Sequence, residues 1–435
     1  MTRETPLPIH RASRLLQLGR LTGRIAGGVL SEGARTLAAG KQLRATDLLL
    51  TPANARRLAD HLSEMRGAVM KVGQLLSMEA GDYLPPELTQ ILASLRENAH
   101  AMPLGQVAEV LDGAWGRGWN SAFKRFSFTP LAAASIGQVH EATTKDGRHL
   151  AIKVQYPGVR KSIDSDVDNV AALLNLFRLV PKDFDLSTLL EEAKYQLHRE
   201  ADYCAEAGSI AEFNTLIGDD PSYNLPTVDR SRTTPEVLTM SFVPGAPIET
   251  LFDAPRSTRN RVATRLLALT LKELFEWGLV QTDANFANYR YESEQDRIGL
   301  LDFGATRRYS RDLIEAFGRL VRAAVAEDTA AIEAHAVELG YLRADDAAPY
   351  RRALGEMIAS VAEPVRHQGP FNFATSDLSR RVAGQAAALR LKQRYLHLPP
   401  TDLLFLHRKF GGTYLLCARL RAQVDVGGLV APYLL

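Results

Sequence analysis

Three short segments carry side chains whose chemistries fit together. Ala151-Ile152-Lys153-Val154 sets a lysine in an apolar strand pattern. Gln281-Thr282-Asp283-Ala284-Asn285-Phe286-Ala287-Asn288 holds an aspartate and an asparagine five apart, and Asp302-Phe303-Gly304 ends an apolar run in a carboxylate. Phosphoryl transfer leaves a protein little covalent chemistry to do. It asks for a cation on the phosphates, oxygen ligands for a hard metal ion, and an acceptor for the attacking hydroxyl's proton. Lys153 answers the first need, Asn288 and Asp302 the second, and Asp283 the third. Singly, each reads better as an exposed strand lysine or a polar loop residue. Their order, with 14 residues from Asn288 to Asp302, argues against coincidence.

A lysine between apolar neighbours needs a counter-charge, since an unpaired buried charge is costly. The segment Glu200-Ala201-Asp202-Tyr203-Cys204-Ala205-Glu206-Ala207, read as one helix, offers three carboxylates. Asp202 and Glu206 are four apart and share a face, while Glu200 lies well round the helix. Glu206 is the partner this spacing selects; the plainer alternative is a solvated acidic face.

Ahead of Lys153, a kinase carries a Gly-rich loop that lets backbone amides approach the phosphates. This chain has Pro130-Leu131-Ala132-Ala133-Ala134-Ser135-Ile136-Gly137-Gln138-Val139-His140. Methyl groups remove left-handed backbone options and stiffen such a turn. Ser135 and Gly137 still offer a hydroxyl and a close backbone approach.

The elements that must position these groups follow from hydrophobic period. Leu58–Leu76, Pro86–Glu97 and the stretch around Leu104–Leu111 repeat apolar residues three and four apart, as amphipathic helices do. From Phe123 the period shortens. Phe126–Phe128, Ile136–Ala142 and His149–Val154, with Asp146-Gly147 between the last two, predict a small antiparallel sheet. Leu173–Ser209 is helical with a break near Pro181, and Val237–Phe242 is a strand running into a connector at Pro244-Gly245. Arg259–Trp277 is a long helix, Tyr289–Leu301 a hairpin turning at Ser293–Asp296, and the chain after Arg311 is helical with loops at Gly369-Pro370 and Pro399-Pro400.

Bulk properties set outer bounds. With 435 residues, the chain accommodates two or three lobes. Hydrophobic content of 46% and charged content of 23% are ordinary for a globular protein. No uncharged apolar run reaches the ~20 residues of a membrane span. The net charge of +2 indicates no particular partner and no nucleic acid. Residues 1–60 nonetheless hold ten Arg and Lys against four acids. A transit peptide, a membrane-surface helix and a solvated basic arm all fit that bias. Cys204 and Cys417 lack metal or redox spacing and read as reduced structural thiols.

At these residues the chain resembles the UbiB-like, or AarF-domain, atypical kinases that support coenzyme Q biosynthesis. The resemblance rests on Ala132-Ala133-Ala134-Ser135, the Lys153 strand, Glu200-x-Asp202, Asp302-Phe303-Gly304 and, upstream, Lys71-Val72-Gly73-Gln74. It covers roughly residues 50–425. Gln281-Thr282-Asp283 and Leu406-His407-Arg408-Lys409 are closer to the mitochondrial-type subgroup, although Ala284, Phe286 and Ser241 stand where Pro, Trp and Glu are usual.

The resemblance implies an α+β, bilobal kinase-like fold with a helical N-terminal extension packed over the active site. It divides the chain into a basic arm (1–50), a helical extension (51–120), an N-lobe (121–243) and a mostly helical C-lobe (244–435). It further implies ATP or ADP held by Ala132, Ala133, Ala134, Ser135, Lys153, Glu206, Met240 and Val243, with Mg²⁺ on Asn288 and Asp302. Lys71 and Gln74 would act on Glu200 and Asp202 and close the groove of a protein substrate. The expected activity is that of an ATPase or a kinase for a small or lipid-related acceptor. A nucleotide-gated scaffold without an acceptor is the alternative, and a protein kinase acting in trans is disfavoured. Expected partners are the nucleotide, a peripheral membrane or quinone-precursor contact, and quinone-biosynthesis proteins. The expected location is the bacterial cytoplasm, peripheral at the inner membrane, or alternatively the mitochondrial matrix.

Overall fold

The computed structural model describes residues 67–69, 71–73, 102–134, 136–176, 186–393 and 399–434. The expectations for the basic arm and the Pro86–Glu97 helix lie outside them, as do Gln74 and Ser135. Residues 67–69 and 71–73 are helical, in keeping with the Leu58–Leu76 pattern. The chain divides into two compact units, Met1–Gly208 with Thr227–Phe242, and Ser209–Pro226 with Val243–Leu435.

The first unit is built on a five-stranded antiparallel sheet. Its strands β1 (Phe123–Phe126), β2 (Ala132–Ala133), β3 (Gly137–Thr144) and β4 (His149–Gln155) follow one another in the chain. Helix α1 (Leu104–Trp115) precedes the sheet, and after β4 the chain passes through helices α2 (Val159–Leu176), α3 (Leu186–Glu200) and α4 (Tyr203–Ile217). After β5 (Tyr223–Asn224, in the second unit) it returns with β6 (Val237–Ser241). The strand order is β1-β3-β4-β6, with β2 folded onto β3.

The expected Asp146-Gly147 turn joins β3 to β4. Gly147 takes φ 88°, and its amide donates to Thr144 O at 3.1 Å. Along β3, burial alternates after its first two residues, whereas β4 is buried from Leu150 to Gln155. A strand covered on both faces reads as a continuous apolar run. The core beneath it gathers Val107 and Leu111 of α1 with Phe123, Ala142, Leu150, Ile152, Val154 and Val237. Trp115, Trp119 and Phe126 pack on its margin.

Two expectations change in this unit. The Ala-rich stretch is partly strand, because Ala132 pairs with Val139 and Ala133 with Gln138. The single helix through Glu200–Ala207 is instead two, since α3 ends at Glu200 and α4 starts at Tyr203. The break has a physical cause. Gln155, buried in β4, donates its amide to Ala201 O at 2.8 Å and takes the carbonyl that would continue the helix. Asp202 then accepts from the Cys204 and Ala205 amides at 3.0 and 3.2 Å, capping the new helix.

The second unit is mostly helical. A four-stranded sheet runs β5-β10-β9-β7, from β7 (Ala246–Pro247), β9 (Tyr289–Glu292) and β10 (Arg297–Leu300). The expected hairpin is β9–β10, turning through Asp296 at φ 53°. A separate pair joins β8 (Leu279–Gln281) to β11 (Thr306–Arg308). Helix α5 (Arg256–Leu271) begins earlier than expected, directly after Pro255, and widens into a π-turn at Lys272–Glu276. Beyond Arg311 come α6 (Arg311–Val325), α7 (Thr329–Glu338), α8 (Ala348–Val361), α9 (Leu378–Gln393) and α10 (Thr401–Arg419). Their shared core includes Leu274, Val280, Ile314, Leu320, Leu403 and Leu406. Short strands β12 (Phe371–Asn372) and β13 (Gln423–Val424) interrupt the expected all-helical run.

Candidate functional site

In the first unit, Lys153 sits at the middle of β4, between Val139 and Leu238 on the neighbouring strands. Both Lys153 and Glu206 are buried, and Nζ lies 2.5 Å from Glu206 Oε1. Glu206 reaches that position from the first turn of α4, where a carboxylate also gains from the helix dipole. The Gln155–Ala201 bond fixes where α4 begins, so one strand supplies both the lysine and the anchor of its partner's helix.

The hairpin over this pair is held by backbone. Leu131 donates to Val139 O at 2.7 Å, and Ala134 to Gly137 O at 2.9 Å. Ala132 and Ala133 expose their methyls. Gly137 is required by proximity, since a Cβ there would sit 2.2 Å from Val154 O. Met240 lies on β6 opposite Ala151 and is buried. Val243 begins the second unit and packs over Gly299 of β10, where a Cβ would come within 2.7 Å of its Cγ1.

Lys71 is buried and forms an ion pair with Glu200, at the end of α3. The resemblance pairs that lysine with both acids. Here Asp202 Oδ1 caps α4.

In the second unit, Asp283 follows β8, and Asn288 closes a 3-10 turn just before β9. Asn288 Nδ2 donates to Asp283 O at 3.1 Å, which identifies the other side-chain atom as the acceptor oxygen. Its own carbonyl accepts from Leu301 N at 3.0 Å, so the backbones leading to Asn288 and Asp302 are stitched together. Asp302 Oδ1 accepts from Gly304 N at 2.9 Å, and Gln281 Nε2 donates to Asp302 O at 3.1 Å. Phe303 is fully buried against Phe213, with ring centroids 5.0 Å apart. Among the described residues no cluster of three or more His, Cys, Asp or Glu converges.

The geometry also gives roles to Arg408 and Lys409, which the sequence marks only as part of the Leu406-His407-Arg408-Lys409 segment. Arg408 Nη2 is hydrogen-bonded to Asp283 Oδ1. Lys409 Nζ lies 2.7 Å from Glu273 Oε2, each side chain 2% exposed. Burial works against the ammonium's charge, but Glu273 and Tyr289 more than offset it and hold the Lys409 pKa above the ordinary lysine value. A lysine in phase with Leu406 and Thr413 on the buried stripe of α10 was the available signal.

Fold and site together define an α+β protein of the kinase-like class. The sequence profile of the ABC1 atypical kinase-like domain matches residues 94–336. The chain belongs to that atypical kinase family. It is 35% identical to the atypical kinase COQ8, mitochondrial, of Saccharomyces cerevisiae, over 98% of this chain and 85% of that one. It is also 35% identical to the atypical kinase coq-8, mitochondrial, of Caenorhabditis elegans, over 98% of this chain but only 57% of the worm protein. Among solved structures, Rv3197 of Mycobacterium tuberculosis, determined with erythromycin, is similar with a TM-score of 0.59 at 25% identity, over 86% of this chain and 94% of that one. Among the described residues no helix is long and apolar enough to cross a membrane.

Proposed function

We propose that the protein is an ATP-binding, Mg²⁺-dependent atypical kinase or ATPase that supports ubiquinone biosynthesis. The observation that carries this reading is the buried Lys153–Glu206 pair. A lysine desolvated in a sheet and aligned by a carboxylate serves as a point charge for phosphate oxygens. Asn288 and Asp302 would hold the metal ion through their oxygens, and the ion neutralises charge developing on the phosphates. Asp283 accepts the proton of the attacking hydroxyl or water. Lys71 on Glu200 keeps a second cation at the end of α3, in the manner of an extension that occupies space a peptide would need. The mitochondrial names of the relatives support the matrix as the location and give the bacterial cytoplasm no support.

The test is thermal stabilisation by Mg·ATP together with ATP turnover, measured with and without liposomes and quinone-like phenols. Wild type should show both. Asp302→Asn should lose the metal-dependent stabilisation, and Asp283→Asn should lose turnover while keeping it. Equal nucleotide stabilisation in wild type and Asp302→Asn would remove the metal assignment. Stabilisation without turnover in wild type would favour the alternative of a nucleotide-gated scaffold.

A further inference from the structure

Helix α10 meets the Asp283 loop through one turn of its surface. Arg408 and Gly412 are four apart and share a face. Arg408 bonds Asp283 Oδ1, and Gly412 lies against Ala284, where a Cβ on the glycine would stand 2.6 Å from the alanine Cβ. Lys409, one residue round, reaches the two flanks of the same loop. Through Glu273 it holds the beginning, because Glu273 Oε2 accepts from Gln281 N at 3.2 Å. Tyr289, immediately after Asn288 at the end, interacts with the same ammonium and favours its charge. The loop is therefore tied at both flanks to one buried ammonium, and its carboxylate is gripped by the neighbouring guanidinium.

We propose that Arg408 is a positioning residue for Asp283, fixing Oδ1 so that Oδ2 is presented to the proton of the attacking group. This rests on the reading of Asp283 given above. The partners fit the role. Asp283 is loop-borne, its carboxylate is 26% exposed, and among the described residues Oδ2 takes no hydrogen bond. Without a second tether, such a carboxylate rotates freely about its last bond. Arg408 is 12% exposed and emerges from a helix whose opposite stripe is locked in the core. A rigid helix therefore sets the direction of a side chain that a loop alone would leave loose. Arginine suits the task better than lysine because its planar fork fixes orientation as well as charge.

The experiment is steady-state ATP turnover and Mg·ATP thermal stabilisation for wild type, Arg408→Lys, Arg408→Gln and Arg408→Gly, the last with and without millimolar ethylguanidinium. Misplacing a catalytic group by an ångström costs on the order of 10²-fold in rate. Arg408→Gln should therefore lose at least ~10-fold in kcat with KM for ATP little changed, Arg408→Lys should fall between, and ethylguanidinium should restore part of the Arg408→Gly rate. Unchanged or raised kcat in Arg408→Gln overturns the proposal, a rise marking the contact as an inhibitory clamp. Loss of turnover and stabilisation together, without rescue, overturns it in favour of a structural role. If wild type neither binds Mg·ATP nor turns it over, both this proposal and the proposed function fall. A turning-over wild type matched by Arg408→Gln removes this one alone.

Discussion

Gln138 and His140, two residues apart on β3, are joined inside the small sheet by a 2.9 Å hydrogen bond from amide Nε2 to ring Nε2. The rest of the network fixes the proton positions. Gln138 Oε1 accepts from Met102 N, so its nitrogen must donate, and the ring nitrogen receiving that donation is unprotonated. His140 Nδ1 then carries the hydrogen and gives it to Ser127 O at 2.8 Å. Burial lowers the His140 pKa below its ordinary 6.5, with the Ser127 bond opposing.

A pH dependence follows from that depressed value. Below 6.5 the unfolded chain takes up a proton that the folded ring resists, so stability is fully present above 6.5 and is lost as pH falls toward the folded value. The slope approaches about 1.4 kcal/mol per pH unit in that window. Denaturant unfolding at several pH values between 5 and 7.5 should show a steeper fall for wild type than for His140→Gln. Parallel curves would mean that the ring titrates normally.

How much of this was readable beforehand differs by element. Lys153, Asp283, Asn288 and Asp302 could be proposed because each stands in a short motif whose order is itself informative, and the pairing of Glu206 with Lys153 emerged although the helix assumed to run through Asp202 starts only at Tyr203. The break after Glu200 was hidden, since it depends on Gln155 reaching across from β4 to take the Ala201 carbonyl. The strand character of Ala132–Ala133 was hidden for a like reason, because pairing with β3 overrides a loop-like composition. The contact of Arg408 with Asp283 was hidden because 125 residues separate them, and only packing brings them together.

Gly412 gives a test of how closely α10 must approach the loop. Gly412→Ala would place a methyl 2.6 Å from Ala284 Cβ and 3.2 Å from Ala284 O. Overpacking of this kind costs about 1–3 kcal/mol, and here it falls on the residue beside Asp283. Turnover should drop by more than the modest fall in Tm would suggest. An Ala284→Gly second-site change should recover part of it, and absence of recovery would show that the two positions do not touch.

Lys409 and Glu273 should behave as a buried pair. Lys409→Met leaves the Glu273 carboxylate uncompensated in the core, which costs about 3–5 kcal/mol. The double change Lys409→Met with Glu273→Leu removes both charges and should regain most of that stability. Turnover should stay low, because Gln281 N and Tyr289 then lose the anchor of the loop. Chemical unfolding and ATP turnover, read side by side, separate the two effects. Full activity in the stable double variant would show that the strut is dispensable for chemistry.

Lys153 and Glu206 admit the corresponding cycle in the first unit, with the ligand as an added reporter. Glu206→Gln removes a charged partner of a buried ammonium and should destabilise the protein. Lys153→Met removes the ammonium beside the buried carboxylate and should destabilise it similarly. Lys153→Met with Glu206→Leu discards both charges, so its unfolding midpoint should lie closer to wild type than either single variant. Stability and ligand response then diverge. A pair retained only for folding would let the apolar double variant keep its stabilisation by Mg·ATP, whereas a lysine aimed at phosphates leaves that variant folded and unresponsive. Thermal melts of all four proteins with and without Mg·ATP decide between them, and a normal ligand shift in the double variant would strip Lys153 of its phosphate role.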